Sequence, residues 1–277
     1  MARTLRVDPA FYDLEFEPLT LRARDGVSLD AWFVPARGAA RGAVLMHHHY
    51  GGQKAAMLPW IELFVDAGLD ALAFDGRGHA GSPCSAEQDG YEARFGDVHA
   101  AAEALRARGA RQIFGYGQSQ GAAVVIGALA AERAAGARDI AGVIVDSGPA
   151  PLAGPSLYWL ARTLFDDALP RPERALATLF ATATLYRRTG PGLYALTLWR
   201  ALVGLRQTPL LWLHGDSDVV IPHAAARVWF EACAPLSRGR WHKLLVEGAA
   251  HVECLQTDEA RVAAAVHQLL AACAACP

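Results

Sequence analysis

The sequence predicts an α/β chain whose central sheet is mostly parallel and carries helices on both faces. Two observations lead there. Almost wholly apolar runs recur at AVLMH (43–47), DALAFD (70–75), QIFGY (112–116), GVIVD (142–146), LLWLH (210–214) and KLLVE (243–247), as strands covered on both faces require. Between them lie Ala-, Leu- and Arg-rich stretches of helical spacing near 54–67, 91–108, 120–135, 223–233 and 257–275. Strand alternating with helix is the pattern of a sheet wrapped by helices.

The elements before and between these runs fit the same plan. LTLRA (19–23) and SLDAWFV (28–34) flank Asp25-Gly26, a hairpin turn signal, so the chain should open with an N-terminal antiparallel pair. Gly68, Gly109 and Gly136 fall where helix C-caps are expected. From Pro149 to about Thr208 the strand signal stops, and amphipathic pieces such as SLYWLARTLF, RALATLFATATLY and GLYALTLWRALVGL take over. That interval is too long for a loop. It reads as an inserted helical cap at 149–208 on a core formed by 1–148 and 209–277, and its aromatics Tyr158, Trp159, Phe165, Phe180, Tyr186, Tyr194 and Trp199 fit pocket lining and simple packing equally well as a set.

With 277 residues, 53% apolar and 19% charged, the chain suits one large domain. Lys plus Arg number 26 against 28 Asp plus Glu, so the charge balance gives no reason to expect nucleic acid, and no segment is apolar enough for stable membrane insertion. The opening is too charged for a secretion signal, so a cytoplasmic protein with reduced cysteines is expected. The terminal Cys273/Cys276 pair lacks the second pair that a metal site would need. A homo-oligomer remains open.

One motif carries chemistry. Gly117-Gln118-Ser119-Gln120-Gly121 is a G-x-S-x-G between a predicted strand and a predicted helix. A turn that tight strains the backbone at the serine and leaves no room for side chains on either flank, hence the glycines. A serine needs a base, and the base needs an orienting acid. Asp218, in LLWLHGDSDVVIP, and His251, in LLVEGAAHVEC, each follow a strand, so parallel strands bring them to the edge that presents Ser119. Asp216 and Asp146 are the competing acids. His214, His242, His223, His267, His99 and His79 are the weaker histidines, and Glu253 reads as a solvated charge.

The elbow GYGQSQG, the acid segment HGDSDVVIP and the histidine segment EGAAHVE resemble the three catalytic blocks of the alpha/beta-hydrolase family, in its order Ser, Asp, His. DGRGHAGSP (75–83) resembles the loop after its fourth strand. FEPLTLRARDGVSLDAWFVPA is similar to the first hairpin of the branch containing bacterial esterases and serine-aminopeptidase-like hydrolases. The resemblance implies an alpha/beta-hydrolase fold and a serine hydrolase that needs no cofactor. Its substrate would be a small acyl compound, a carboxylic ester first; thioesterase, amidase, peptidase and acyltransferase use the same residues, and a non-catalytic binding member is the rival from another class.

It also locates the triplet in LMHHHYGG (45–52). Family members usually read His-Gly-x-Gly where the oxyanion loop leaves the third strand; here His49 replaces the first glycine, and Tyr50 becomes the residue whose N–H would join that of Gln120 in an oxyanion hole. Because His47, His48 and His49 alternate faces along a strand, they are not expected to converge on a metal, and an internal position rules out a purification tag.

Overall fold

The computed structural model describes residues 7–150, 173, 175–181, 183 and 194–274. Among them runs one sheet in the order β1-β2-β4-β3-β5-β6-β7-β8. β1 (Glu17–Arg22) and β2 (Ser28–Val34) form the opening hairpin, and β2 also pairs antiparallel with β4 (Asp70–Phe74). From β4 onward every pairing is parallel, through β3 (Ala43–His47), β5 (Ile113–Gln118), β6 (Ile140–Asp146), β7 (Leu210–Gly215) and β8 (Trp241–Val246).

Helices cover both faces. On one side α1 (Leu58–Asp66) and the last helix, α6 (Glu259–Ala274), bury Trp60, Ile61, Phe64, Val262, Val266 and Leu269. On the other lie α2 (Phe95–Ala107), α3 (Gln120–Ala134), α4 (Tyr194–Gly204) and α5 (His223–Cys233), which bury Val98, Val124, Leu129, Leu198, Leu202 and Trp229. Every residue from Gly121 to Ala130 is buried, which explains why α3 has no polar face: it is enclosed by neighbours rather than lying on the surface.

Three helix boundaries differ from the sequence pattern, each for a local reason. The stretch from 54 begins as a 3₁₀ turn, Lys54–Met57, before α1 starts with Pro59 in its first turn, where a missing N–H costs nothing. α2 starts at Phe95, after turns over Gly90 to Arg94. Cys254–Thr257 is a separate turn, and α6 restarts where the Asp258 side chain accepts the Arg261 N–H. Most of the predicted insertion at 149–208, including Tyr158, Trp159, Phe165 and Tyr186, lies outside the described residues. Its final portion, α4, packs Leu198, Ala201 and Leu202 into the core that α3 shares, with Trp199 half-buried against it. Cys273 is buried and donates to the Ala141 carbonyl at 3.3 Å; Cys276 also lies outside the described residues.

β3 ends on histidines that the fold closes off from water: His47 is 1% exposed and His48 is fully buried. Burial lowers His47 from 6.5 to about 3 and takes His48 well below 6.5. Both rings are therefore neutral in the fold, while in the unfolded chain they take up protons below 6.5, so their contribution is intact above that pH and is lost as pH falls. Buried Asp146, pushed up to about 6, and Asp97, also raised by burial, act in the opposite sense, but His49, His214 and His223 are lowered by burial along with these two histidines. The melting temperature should accordingly drop as pH is lowered from about 7.5 to about 4.5, and should drop less in His47→Asn, which cannot titrate there. Equal pH dependence in the two proteins would show that His47 does not carry the effect.

Candidate active site

Ser119 sits between β5 and α3 with φ 52° and ψ −114°, a strained conformation for a residue with a side chain. Its two flanking glycines are required by contact. A Cβ on Gly117 would stand 2.5 Å from the Gly121 carbonyl oxygen, and one on Gly121 would stand 2.5 Å from the His48 carbonyl oxygen. The Ser119 N–H donates to the Asp146 carbonyl of β6 at 2.9 Å, which ties the turn to the neighbouring strand. The hydroxyl is thus raised at the carboxyl edge of the sheet beside the positive end of α3.

Asp218 follows β7 and His251 follows β8, and the structure brings both to Ser119. His251 Nε2 lies 2.8 Å from Ser119 Oγ, and its Nδ1 lies 2.8 Å from Asp218 Oδ2. Asp218 Oδ1 accepts the N–H groups of Val220 and Ile221 at 2.9 and 2.8 Å. This buried carboxylate therefore keeps its charge fully hydrogen-bonded and can only accept, so His251 carries its proton on Nδ1 and offers the Nε2 lone pair to the serine hydroxyl.

The competing residues have other partners. Asp216 Oδ1 accepts the Gly248 N–H at 2.7 Å and braces the loop that carries His251. Asp146 Oδ1 accepts the Ser147 hydroxyl at 2.9 Å. His214 donates to the Ile221 carbonyl at 2.8 Å and backs Asp218, with Nε2 3.4 Å from Oδ2. His223 stacks on Trp212, His99 meets Glu132, and Glu253 is exposed.

The LMHHHYGG loop lies directly against the elbow, with the His47 and His48 backbone packed on Gly121. Each of the three imidazoles has an Nδ1 partner within the protein: His47 the His48 carbonyl, His48 the His49 carbonyl, and His49 the Gln118 side-chain oxygen at 3.3 Å. Two imidazoles grip backbone from the facing loop as well. His48 Nε2 accepts the Gly76 N–H at 3.0 Å, and His79 Nε2 accepts the Gly51 N–H at 3.1 Å while its Nδ1 donates to the Arg77 carbonyl. His79 is therefore a brace for the residue that follows Tyr50, a role that its position on the loop after β4 suggests but does not specify. Burial, with a smaller contribution from nearby His251, holds His49 below its ordinary range, so its ring is neutral at pH 7.

Further support was invisible in the sequence. Lys54, one of two lysines, is buried between Asp75 and Asp30, with Nζ at 2.8 and 2.7 Å. Asp75 also accepts the Lys54 and Gly81 N–H groups, so one carboxylate joins the end of the LMHHHYGG loop to the loop after β4. On the other side Arg94, paired with Asp89, hydrogen-bonds the Gln120 side chain next to the nucleophile candidate.

Known proteins agree with this arrangement at the level of fold. The Pyrococcus furiosus esterase Pf2001 superposes with a TM-score of 0.77 at 19% identity, over 98% of this chain and 95% of that one. A thermostable carboxyl esterase from Bacillus coagulans gives 0.64 at 13% identity, over 94% and 99%. An uncharacterized protein of Mycobacterium tuberculosis is 31% identical over 119 residues, which is 42% of this chain and only 41% of the relative's length. Among the described residues no helix is long and apolar enough to cross a membrane. The model of the Hydrolase_4 family, serine aminopeptidase S33, matches residues 38–189, more than half of the sequence, and the chain belongs to that family of alpha/beta hydrolases.

Proposed function

We propose that this protein is a serine hydrolase that cleaves carboxylic esters through an acyl-enzyme. The observation that carries the reading is the unbroken line from Ser119 Oγ to His251 to Asp218, with both contacts at 2.8 Å. Ser119 Oγ attacks the acyl carbon as its proton passes to His251 Nε2, and Asp218 stabilises the imidazolium. The Tyr50 and Gln120 N–H groups hold the negative oxygen, each worth on the order of 3 kcal/mol in the transition state. The alkoxide leaves with the proton from Nε2; water, deprotonated by the same nitrogen, then releases the acid and restores Ser119. No cofactor takes part.

Ester is the first substrate class because the Pyrococcus furiosus and Bacillus coagulans proteins this chain superposes on are named esterases, and because an alcohol leaves more readily than an amine. The aminopeptidase description of the family favours a second reading, cleavage of an amide next to a free amino group, by the same residues.

Wild type should react with a fluorophosphonate probe at Ser119, and Ser119→Ala should not; kcat on p-nitrophenyl esters should fall by about 10⁴-fold or more. Labelling that survives in Ser119→Ala would overturn the assignment. A panel of p-nitrophenyl esters, acyl thioesters and aminoacyl p-nitroanilides separates the two substrate readings by kcat/KM. If the His79 brace positions the oxyanion loop, His79→Ala should lower kcat on the order of 10-fold with KM little changed. A pure KM effect would contradict that. His49→Gly should change the preferred acyl length, measured on the same ester series, and an unaltered profile would place His49 outside the acyl pocket.

A further inference from the structure

We propose that Ser147 is a positioning residue for His251, its side-chain oxygen gripping the Val252 N–H and so fixing the base loop to the strand that also anchors the Ser119 turn. The inference rests on the reading of Ser119 and His251 as nucleophile and base.

The sheet order creates the need for such a grip. β8, which delivers His251, lies three strand spacings from β5, which delivers Ser119, a distance of about 14 Å. The loop after β8 must therefore cross β7 to bring His251 to the serine. It arrives over the end of β6, where the Val252 N–H donates to Ser147 Oγ at 2.8 Å. An N–H can only donate, so Oγ accepts there, and the single hydroxyl proton points to Asp146 Oδ1 at 2.9 Å. The hydroxyl thus has one orientation, and Ser147 is fully buried.

The segment around Ser147 also meets the nucleophile turn and β7. The Asp146 carbonyl accepts the Ser119 N–H, the Ser147 N–H donates to Leu213 of β7 at 3.0 Å, and a Cβ on Gly148 would stand 2.7 Å from the Ser119 carbonyl oxygen. The end of β6 therefore joins nucleophile turn and base loop in one short segment. Both partners of the grip sit in the left-handed region, Ser147 at φ 56° and Val252 at φ 60°. For β-branched Val252 that conformation is an outlier that the surroundings must maintain, and the Ser147 hydrogen bond is a contact that does so.

The test uses Ser147→Gly, which tolerates the positive φ while losing the oxygen, and Ser147→Cys, which keeps the size but is a poor acceptor. Wild type and variants are compared for kcat and KM on p-nitrophenyl butyrate, for the rate of fluorophosphonate labelling at Ser119, and for melting temperature. The expected result is a loss in kcat of about 10- to 100-fold in both variants, a KM within about twofold of wild type, and a parallel fall in labelling rate in protein that is still folded at the assay temperature. If either folded variant keeps kcat and labelling within about threefold of wild type, or if KM alone moves, Ser147 does not position the base. Failure of wild type itself to label at Ser119 would instead overturn the underlying serine-hydrolase reading.

Discussion

The close approach of α3 to the carboxyl ends of β5 and β3 is the constraint on which the rest of this molecule depends. At Gly117 and Gly121 backbone meets backbone at distances that no side chain could share, and the result is a serine at φ 52° facing outward from the sheet edge. That strain, on the order of 1–3 kcal/mol, has to be offset by the surrounding structure. The surroundings do it by enclosure. α3 is buried from Gly121 to Ala130, and β6 accepts the Ser119 N–H. The same approach brings the His47–His48 backbone onto the start of α3, so the turn that exposes the serine also sets the loop from which Tyr50 would work.

Around this turn the structure uses charge sparingly and ties most of it into several hydrogen bonds. Asp75 holds Lys54 and two backbone N–H groups; Asp218 holds His251 and two more. Arg77 is fully buried between Asp97 and Asp25 on the loop that carries His79. Removing one partner from such a group leaves an unpaired buried charge, a far larger penalty than a surface ion pair is worth, so these contacts act as fixed points for loops that have no regular structure of their own. Neutral histidines complete the framework by accepting backbone N–H groups, a role open only to an unprotonated ring.

Much of the architecture was legible in the sequence because it follows from periodicity. The apolar runs became β3 to β8 within two residues, Asp25-Gly26 became the hairpin, and Gly68, Gly109 and Gly136 adopt the positive φ expected past a helix end. Ser119, Asp218 and His251 were legible because all follow strands whose ends share one edge. The contacts between loops were not. Ser147 and Val252 are 105 residues apart and meet only because both adopt a conformation that nothing in their residue types favours. The burial of Lys54 between two carboxylates appears only once the fold closes over it, and the tautomers of His48 and His79 depend on which backbone N–H faces them.

The central claim is that Ser119, His251 and Asp218 work as one unit. Its most direct test is kcat/KM on a p-nitrophenyl ester for Ser119→Ala, His251→Ala, Asp218→Ala and the triple variant. Residues that act in a single proton-transfer line lose their effect together, so the triple variant should be no slower than Ser119→Ala within about threefold. Losses that multiply, with the triple variant slower by the product of the single effects, would contradict the account.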